Sequence, residues 1–184
     1  MNSREENLHI AEVIGVWVTV FTILIGGVFA VIQYVEFKEA QRIDRALEFI
    51  DRYQSNGYFI DARIRISQAL DDNLPSISEI LKNPDFNDDE LSKSYNAEIL
   101  KMVDKESLGT SLEQLFNFYE QSLMCKDMGL CEAIVLESFI DNDAGSYTRT
   151  FYPFICSLRK EWNNPDVFVR VTNFYIASSE ELCS

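Results

Sequence analysis

The sequence predicts an all-α protein in which one N-terminal transmembrane helix continues into a rod and precedes a compact cytoplasmic helical bundle. A long stretch near the start carries no charge, and apolar residues farther along recur at helical spacing. No strong alternation of apolar and polar residues occurs, and no pair of such segments joined by Asn-Gly predicts a β-hairpin. The 184 residues, 47% of them hydrophobic, are typical of one globular domain with an appendage.

The first predicted element is a transmembrane helix over residues 13–35. No charged residue occurs between Glu12 and Glu36, and 23 helical residues span roughly 34 Å, enough to cross a hydrocarbon core. A buried helix of a soluble core is the alternative. A cleaved signal peptide fits poorly, because residues 1–12 are acidic and the apolar run exceeds the usual length.

Basic residues that flank the span predict its orientation in a cell inner membrane. Only Arg4 precedes the span, whereas Lys38, Arg42, Arg45 and Arg52 follow it. Residues 1–12 are therefore expected outside and the rest in the cytoplasm. The four cysteines would then be free thiols in a reducing compartment.

Small residues line one face of the predicted span. They recur at spacings of three and four, which lets membrane helices approach closely, and they are Gly15, Thr19, Thr22, Gly26 and Ala30. The pattern predicts self-association. The alternative is that such residues are simply common in membrane helices.

After the span, a juxtamembrane helix is predicted over residues 36–56, ending at Ser55-Asn56-Gly57, and the cytoplasmic domain over residues 57–184. A second helix is expected from Phe59 to Leu70. Residues 71–94 are expected to be an acidic, loop-rich break that contains two prolines, and a short helix near Ser76–Lys82 is an alternative within it. A further helix is expected from about Asp89 to Asp104.

Four more helices are predicted from apolar residues at helical spacing. One runs through Leu112 and Leu123 and stops at Gly129, and the next covers Leu130 to Phe139. A long aromatic helix is expected from Tyr147 to Trp162. Pro165 is expected to open the last helix at its first turn.

The C-terminal half carries a family resemblance. The segment from Leu115 to Glu120, the turn glycine Gly129, and the segment Pro153-Phe154-Ile155 with Arg159 resemble an uncharacterised, DUF4760-like family of small bacterial membrane proteins. The resemblance covers about residues 10–175. It implies one span and a helical domain, and it implies no catalytic residues. A looser architectural likeness is to membrane accessory proteins of antiviral systems with degenerate HEPN-type domains.

The sequence lacks the residues that nucleophilic catalysis and metal binding require. The one histidine, His9, precedes the span, so no imidazole is available to the cytoplasmic domain for nucleophilic catalysis. No metal site and no cofactor are predicted, because Cys125 and Cys131 lack ligand partners. The stretch from Asp141 to Gly145 resembles the start of a calcium loop, but a polar helix–helix turn fits it better.

Two charged residues lie within aromatic-rich segments of the resemblance. Glu120 and Arg159 are expected to form a buried structural ion pair between two helices, with Arg149 as a substitute for Arg159. The alternative is a polar site in a cleft.

The leading expectation is a non-enzymatic membrane protein that self-associates as a scaffold or effector, with pore formation in defence as an extension. Its expected partners are the lipid bilayer, further copies of itself and a protein partner. The net charge of −14 argues against nucleic acid. The alternatives are a monomeric adaptor that binds a basic protein through Asp85, Asp88 and Asp89, and a membrane-anchored hydrolase that uses carboxylates.

Overall fold

The computed structural model describes the backbone of residues 3–176 and residue 183, and the side chains of residues 15–176 and 183. Within this part of the chain every regular element is helical, which confirms the all-α prediction. The helices are α1 (Ser3–Ser55), α2 (Gly57–Leu81), α3 (Asp88–Lys105), α4 (Gly109–Asp127), α5 (Ala133–Thr150), α6 (Tyr152–Glu161) and α7 (Val169–Tyr175). The expected external segment, residues 1–12, has no described side chains.

The chain divides into two compact units, Met1–Arg42 and Ile43–Ser184. In the first unit, the described apolar side chains of α1 are exposed. One helix of the described chain is long and apolar enough to cross a membrane, and none of its most apolar window is buried.

The second unit is built around α4. This helix packs against α2, α5 and α7, while α3 packs against α2 and α6. The buried residues of α4 include Leu112, Leu115, Phe116 and Tyr119, which are 0% exposed. The predicted apolar stripe of this helix is therefore the centre of the core. Gly129 follows the helix with φ +64°, a conformation that favours glycine, and ends it as predicted.

The stop between the first two helices is also confirmed. The α1 helix ends at Ser55, and the Asn56 side chain caps α2 by accepting a hydrogen bond from the Tyr58 amide at 3.0 Å. The predicted start of α3 is confirmed as well, because Asn87 and Glu90 form a capping box there.

The expected break over residues 71–94 is too long. The α2 helix continues through Pro75 to Leu81. A proline removes one helical hydrogen bond, but Ala69, Asn73 and Ile77 keep the same face buried on both sides of it. The buried face outweighs the local breaker, and the helix ends only before residues 82–87.

Three expectations in the C-terminal half are wrong. Asp141 to Gly145 lie inside α5 rather than in a turn, because Ala144 and Gly145 are buried there. The long helix expected from Tyr147 to Trp162 divides at Phe151, and α6 begins at Tyr152 with Pro153 in its first turn. The last helix begins at Val169 instead of Pro165, after Phe168 adopts a left-handed conformation with φ 54°.

Candidate functional site

A hydrogen-bonded tyrosine pair lies in the centre of the second unit. The hydroxyl oxygens of Tyr53 on α1 and Tyr119 on α4 are 2.8 Å apart, and both side chains are buried. Tyr53 donates to Asp143 Oδ2 on α5 at 3.1 Å. Because this bond uses the hydrogen of Tyr53, Tyr119 donates to Tyr53. The pair therefore forms a directed chain that ends on the half-exposed carboxylate of Asp143.

Arg63 on α2 contacts both Tyr53 and Asp143 of this hydrogen-bonded series. Its guanidinium lies 4.4 Å from the centre of the Tyr53 ring, and Nη1 is 3.9 Å from Asp143 Oδ2. The four side chains come from four helices, so we call Tyr53, Arg63, Tyr119 and Asp143 the tyrosine network. It joins α1, α2, α4 and α5 through polar contacts inside an aromatic core.

Burial favours the neutral form of the tyrosines in and beside the tyrosine network. Burial raises the pKa of Tyr53, and burial raises the pKa of Tyr119 well above the ordinary value. Burial also raises the pKa of Tyr147, with a further contribution from Asp143. A tyrosine with a raised pKa is a poor general base near neutral pH, so the network acts as a donor and a structural link.

These shifts predict that the domain loses stability in alkali. The folded-state pKa values lie above the unfolded value of about 10, so the folded state keeps protons that the unfolded state releases. The contribution of these tyrosines to the free energy of unfolding should be constant below about pH 9 and fall above about pH 10. Urea unfolding of the full chain at several pH values measures this. Tyr119→Phe should flatten the fall, and a free energy that stays level above about pH 11 would contradict the assignment.

A second feature is a cavity of about 690 Å³ beside α6. Its walls include Asn96 and Leu100 of α3, Cys156, Arg159 and Lys160 of α6, and Cys183. Among the described lining residues there are two basic side chains and no carboxylate. The two basic side chains favour a negatively charged occupant.

The expected ion pair between Glu120 and Arg159 is wrong, because each side chain has other partners. Glu120 accepts hydrogen bonds from the backbone amides of Arg170 and Val171, at 3.2 and 3.1 Å, and from Arg170 Nη1 at 3.3 Å. It therefore fastens the start of α7 to α4. Arg159 donates to the Val167 carbonyl at 2.9 Å and to Thr172 Oγ1 at 2.8 Å.

The expected free thiols are wrong too. The structure pairs Cys125 with Cys131 and Cys156 with Cys183 in disulfide bonds. The Gly129 turn brings Cys125 and Cys131 together, because it returns residue 131 to the end of α4.

The small-residue face of α1 is open within the chain. A Cβ atom added to Gly15 or Gly26 would meet no other atom within 4 Å. Thr19 and Thr22 donate to the carbonyls of Gly15 and Val18, at 2.9 and 2.8 Å. Ala30 is likewise exposed. The self-association predicted from these residues stays a prediction.

The acidic run has a local role. Asp88, Asp89 and Glu90 occupy the first turn of α3, where negative charge stabilises a helix, and Asp85 is exposed in the loop before it. No group of three His, Cys, Asp or Glu residues that could hold a metal occurs in the part of the chain that the structure describes.

A family model for a domain of unknown function, DUF4760, matches residues 9–177. The chain belongs to the DUF4760 family. The match includes the apolar α1 helix together with α2 to α7. No curated protein and no solved structure matches the chain.

The segments that resemble the DUF4760 family lie around α4 and α6. The segment from Leu115 to Glu120 supplies core residues and the contact to α7, while Pro153 and Ile155 are buried at the start of α6. These segments therefore build the fold. Sequence reasoning missed Arg63, Asp143 and the basic cavity, since single charges inside helices carry no motif.

Proposed function

We propose that this DUF4760 protein is a non-enzymatic membrane-anchored scaffold, which self-associates through the small-residue face of α1. The observation that carries the proposal is the exposure of α1. Its large apolar side chains from Val16 to Phe37 are 40–67% exposed. A continuous apolar surface of this kind needs a lipid or protein cover.

The length and chemistry of α1 support lipid as that cover. A helix satisfies all its backbone hydrogen bonds internally, as a hydrocarbon core requires. The threonine hydroxyls are bonded to their own helix, so Thr19 and Thr22 enter that core without an unpaired donor. Gly15 and Gly26 leave shallow places on one face, where a second helix can come close and gain van der Waals contact.

The decisive measurement is the mass of the full chain in mild detergent, by light scattering. The wild-type protein should form a defined oligomer, and Gly15→Leu with Gly26→Leu should shift it toward the monomer by at least tenfold in dissociation constant, or about 1.4 kcal/mol. Leucine side chains at these positions would hold two helices apart.

The matched control adds the same number of leucines on the opposite face of α1, as Val28→Leu with Val31→Leu. This variant should keep the wild-type mass. A wild-type monomer, or equal loss of the oligomer in both variants, would contradict the proposed face while leaving membrane anchoring intact.

We also propose that the domain faces the cytoplasm. The basic residues Lys38, Arg42, Arg45 and Arg52 follow the span and support this side. The two disulfide bonds favour the opposite side of the membrane, because disulfides persist mainly in oxidising compartments. Lys82 is exposed, so Lys82→Cys places a thiol on the surface of the domain. In intact cells this thiol should not react with a membrane-impermeant maleimide until the membrane is permeabilised. Labelling before permeabilisation would contradict the proposed orientation.

A further inference from the structure

The two disulfide bonds differ in their access to solvent. Cys125 and Cys131 are 9% and 0% exposed, so their sulfurs lie within the core. Cys183 is exposed, and its partner Cys156 is partly exposed on the wall of the cavity beside α6. Thiol–disulfide exchange requires a thiolate to reach a sulfur atom, so only the second bond is open to it.

The surroundings of Cys183 favour its departure as a thiolate. Arg159 Nη1 lies 3.9 Å from Cys183 Sγ, and the Tyr152 hydroxyl lies 3.5 Å from the same atom. A disulfide sulfur carries no hydrogen, so both neighbours are donors toward it. A positive charge and a hydroxyl donor beside a sulfur stabilise the negative charge that develops when the S–S bond breaks.

The cavity supplies a place for the attacking molecule. Its volume of about 690 Å³ is large enough for a small peptide-like ligand, and both cysteines of the bond line it. Arg159 is already engaged with Val167 and Thr172, which holds its guanidinium in position. Lys160 is exposed on the same wall, and Asn96, Asn163 and Asn164 add amide groups that bind carboxylates or peptide units.

We propose that Cys156–Cys183 is a thiol-exchange site for a low-molecular-weight thiol that carries carboxylates. The thiolate of that molecule attacks Cys156 Sγ, forms a mixed disulfide with it, and breaks the Cys156–Cys183 bond. The electron pair of the broken bond leaves on Cys183 Sγ as a thiolate beside Arg159. A second molecule of the thiol can then attack the mixed disulfide, which releases the oxidised small-molecule disulfide and the Cys156 thiolate.

The experiment treats the full chain in mild detergent with reduced glutathione as the probe. After acid quenching and alkylation, peptide mass spectrometry measures which cysteines carry glutathione. Glutathione should appear on Cys156, with Cys183 alkylated, at least tenfold faster than at Cys125 or Cys131. The buried bond serves as the internal control in the same molecule.

Charge variants test the cavity separately from simple exposure. Lys160→Glu should slow the reaction with glutathione about tenfold, because it reverses a charge beside the bound carboxylates. The same variant should not slow cysteamine, a small thiol with a positive charge. Lys82→Glu makes the same change in net charge at an exposed residue outside the cavity, and it should alter both rates by less than about twofold.

Three results would overturn the proposal. The first is that Cys156 and Cys183 remain free thiols after air oxidation. The second is that glutathione reacts with both disulfide bonds at the same rate. The third is an equal effect of Lys160→Glu on glutathione and cysteamine, which would leave an accessible disulfide without a binding site. None of these results depends on the oligomeric state, so the scaffold proposal is tested independently.

Discussion

Replacing Tyr53 with alanine should lower the free energy of unfolding of the helical domain by about 3–5 kcal/mol. The ring is 1% exposed, is stacked on Phe118 with ring centres 5.1 Å apart, and meets Phe139 edge to face at 5.9 Å. Its removal leaves a cavity between helices and deprives Tyr119 of the acceptor for its hydrogen. Urea unfolding of the full chain, followed by circular dichroism, measures the loss.

Two variants separate the ring from its hydroxyl. Tyr53→Phe keeps the packing and removes one hydroxyl, so it should cost about 1–3 kcal/mol through the unpaired Tyr119 donor. Tyr58→Ala removes a tyrosine that is 40% exposed, and it should cost less than about 1 kcal/mol. If Tyr53→Ala cost no more than Tyr58→Ala, the tyrosine network would not hold the helices together.

Replacing Glu120 with alanine should cost about 2–3 kcal/mol and loosen α7 from α4. The carboxylate accepts from two backbone amides, and both lose their partner in the variant. Hydrogen bonds to a charged acceptor are stronger than neutral ones. Hydrogen exchange of the Arg170 and Val171 amides should speed up together with the loss of stability.

The contact of Glu120 with the Arg170 side chain is a smaller part of this effect. The Arg170 side chain is 45% exposed, so its ion pair is weakened by solvent. Arg170→Ala should therefore cost less than about 1 kcal/mol and leave amide exchange nearly unchanged. An equal cost for Arg170→Ala and Glu120→Ala would mean that the ion pair, rather than the amides, fastens α7.

Local patterns predicted the helices well, because helical periodicity and stop signals act over a few residues. The stripe from Leu112 to Leu123 and the stop at Ser55 follow from such signals. Two of the four prolines show the limit of this reasoning. Pro75 lies inside α2 and Pro153 lies in the first turn of α6, and only the packing of the surrounding face distinguishes the two cases.

The polar contacts were less predictable, since they join residues far apart in the chain. Tyr53 meets Asp143 across 90 positions, and Glu120 meets Arg170 across 50. A single sequence gives the chemical type of each residue and gives no distance between them. The wrong pairing of Glu120 with Arg159 has this cause: both residues do hold helices together, but with other partners.

The bond between Cys156 and Cys183 closes a covalent ring between two residues that are 27 positions apart in the sequence. The α7 helix and its contact to Glu120 lie within that ring. A protease that cuts once anywhere inside it therefore leaves a nicked molecule of unchanged mass apart from one added water, and the two pieces separate only after reduction. The ring also limits how far α7 can move when it leaves α4, because both of its ends stay tethered near α6.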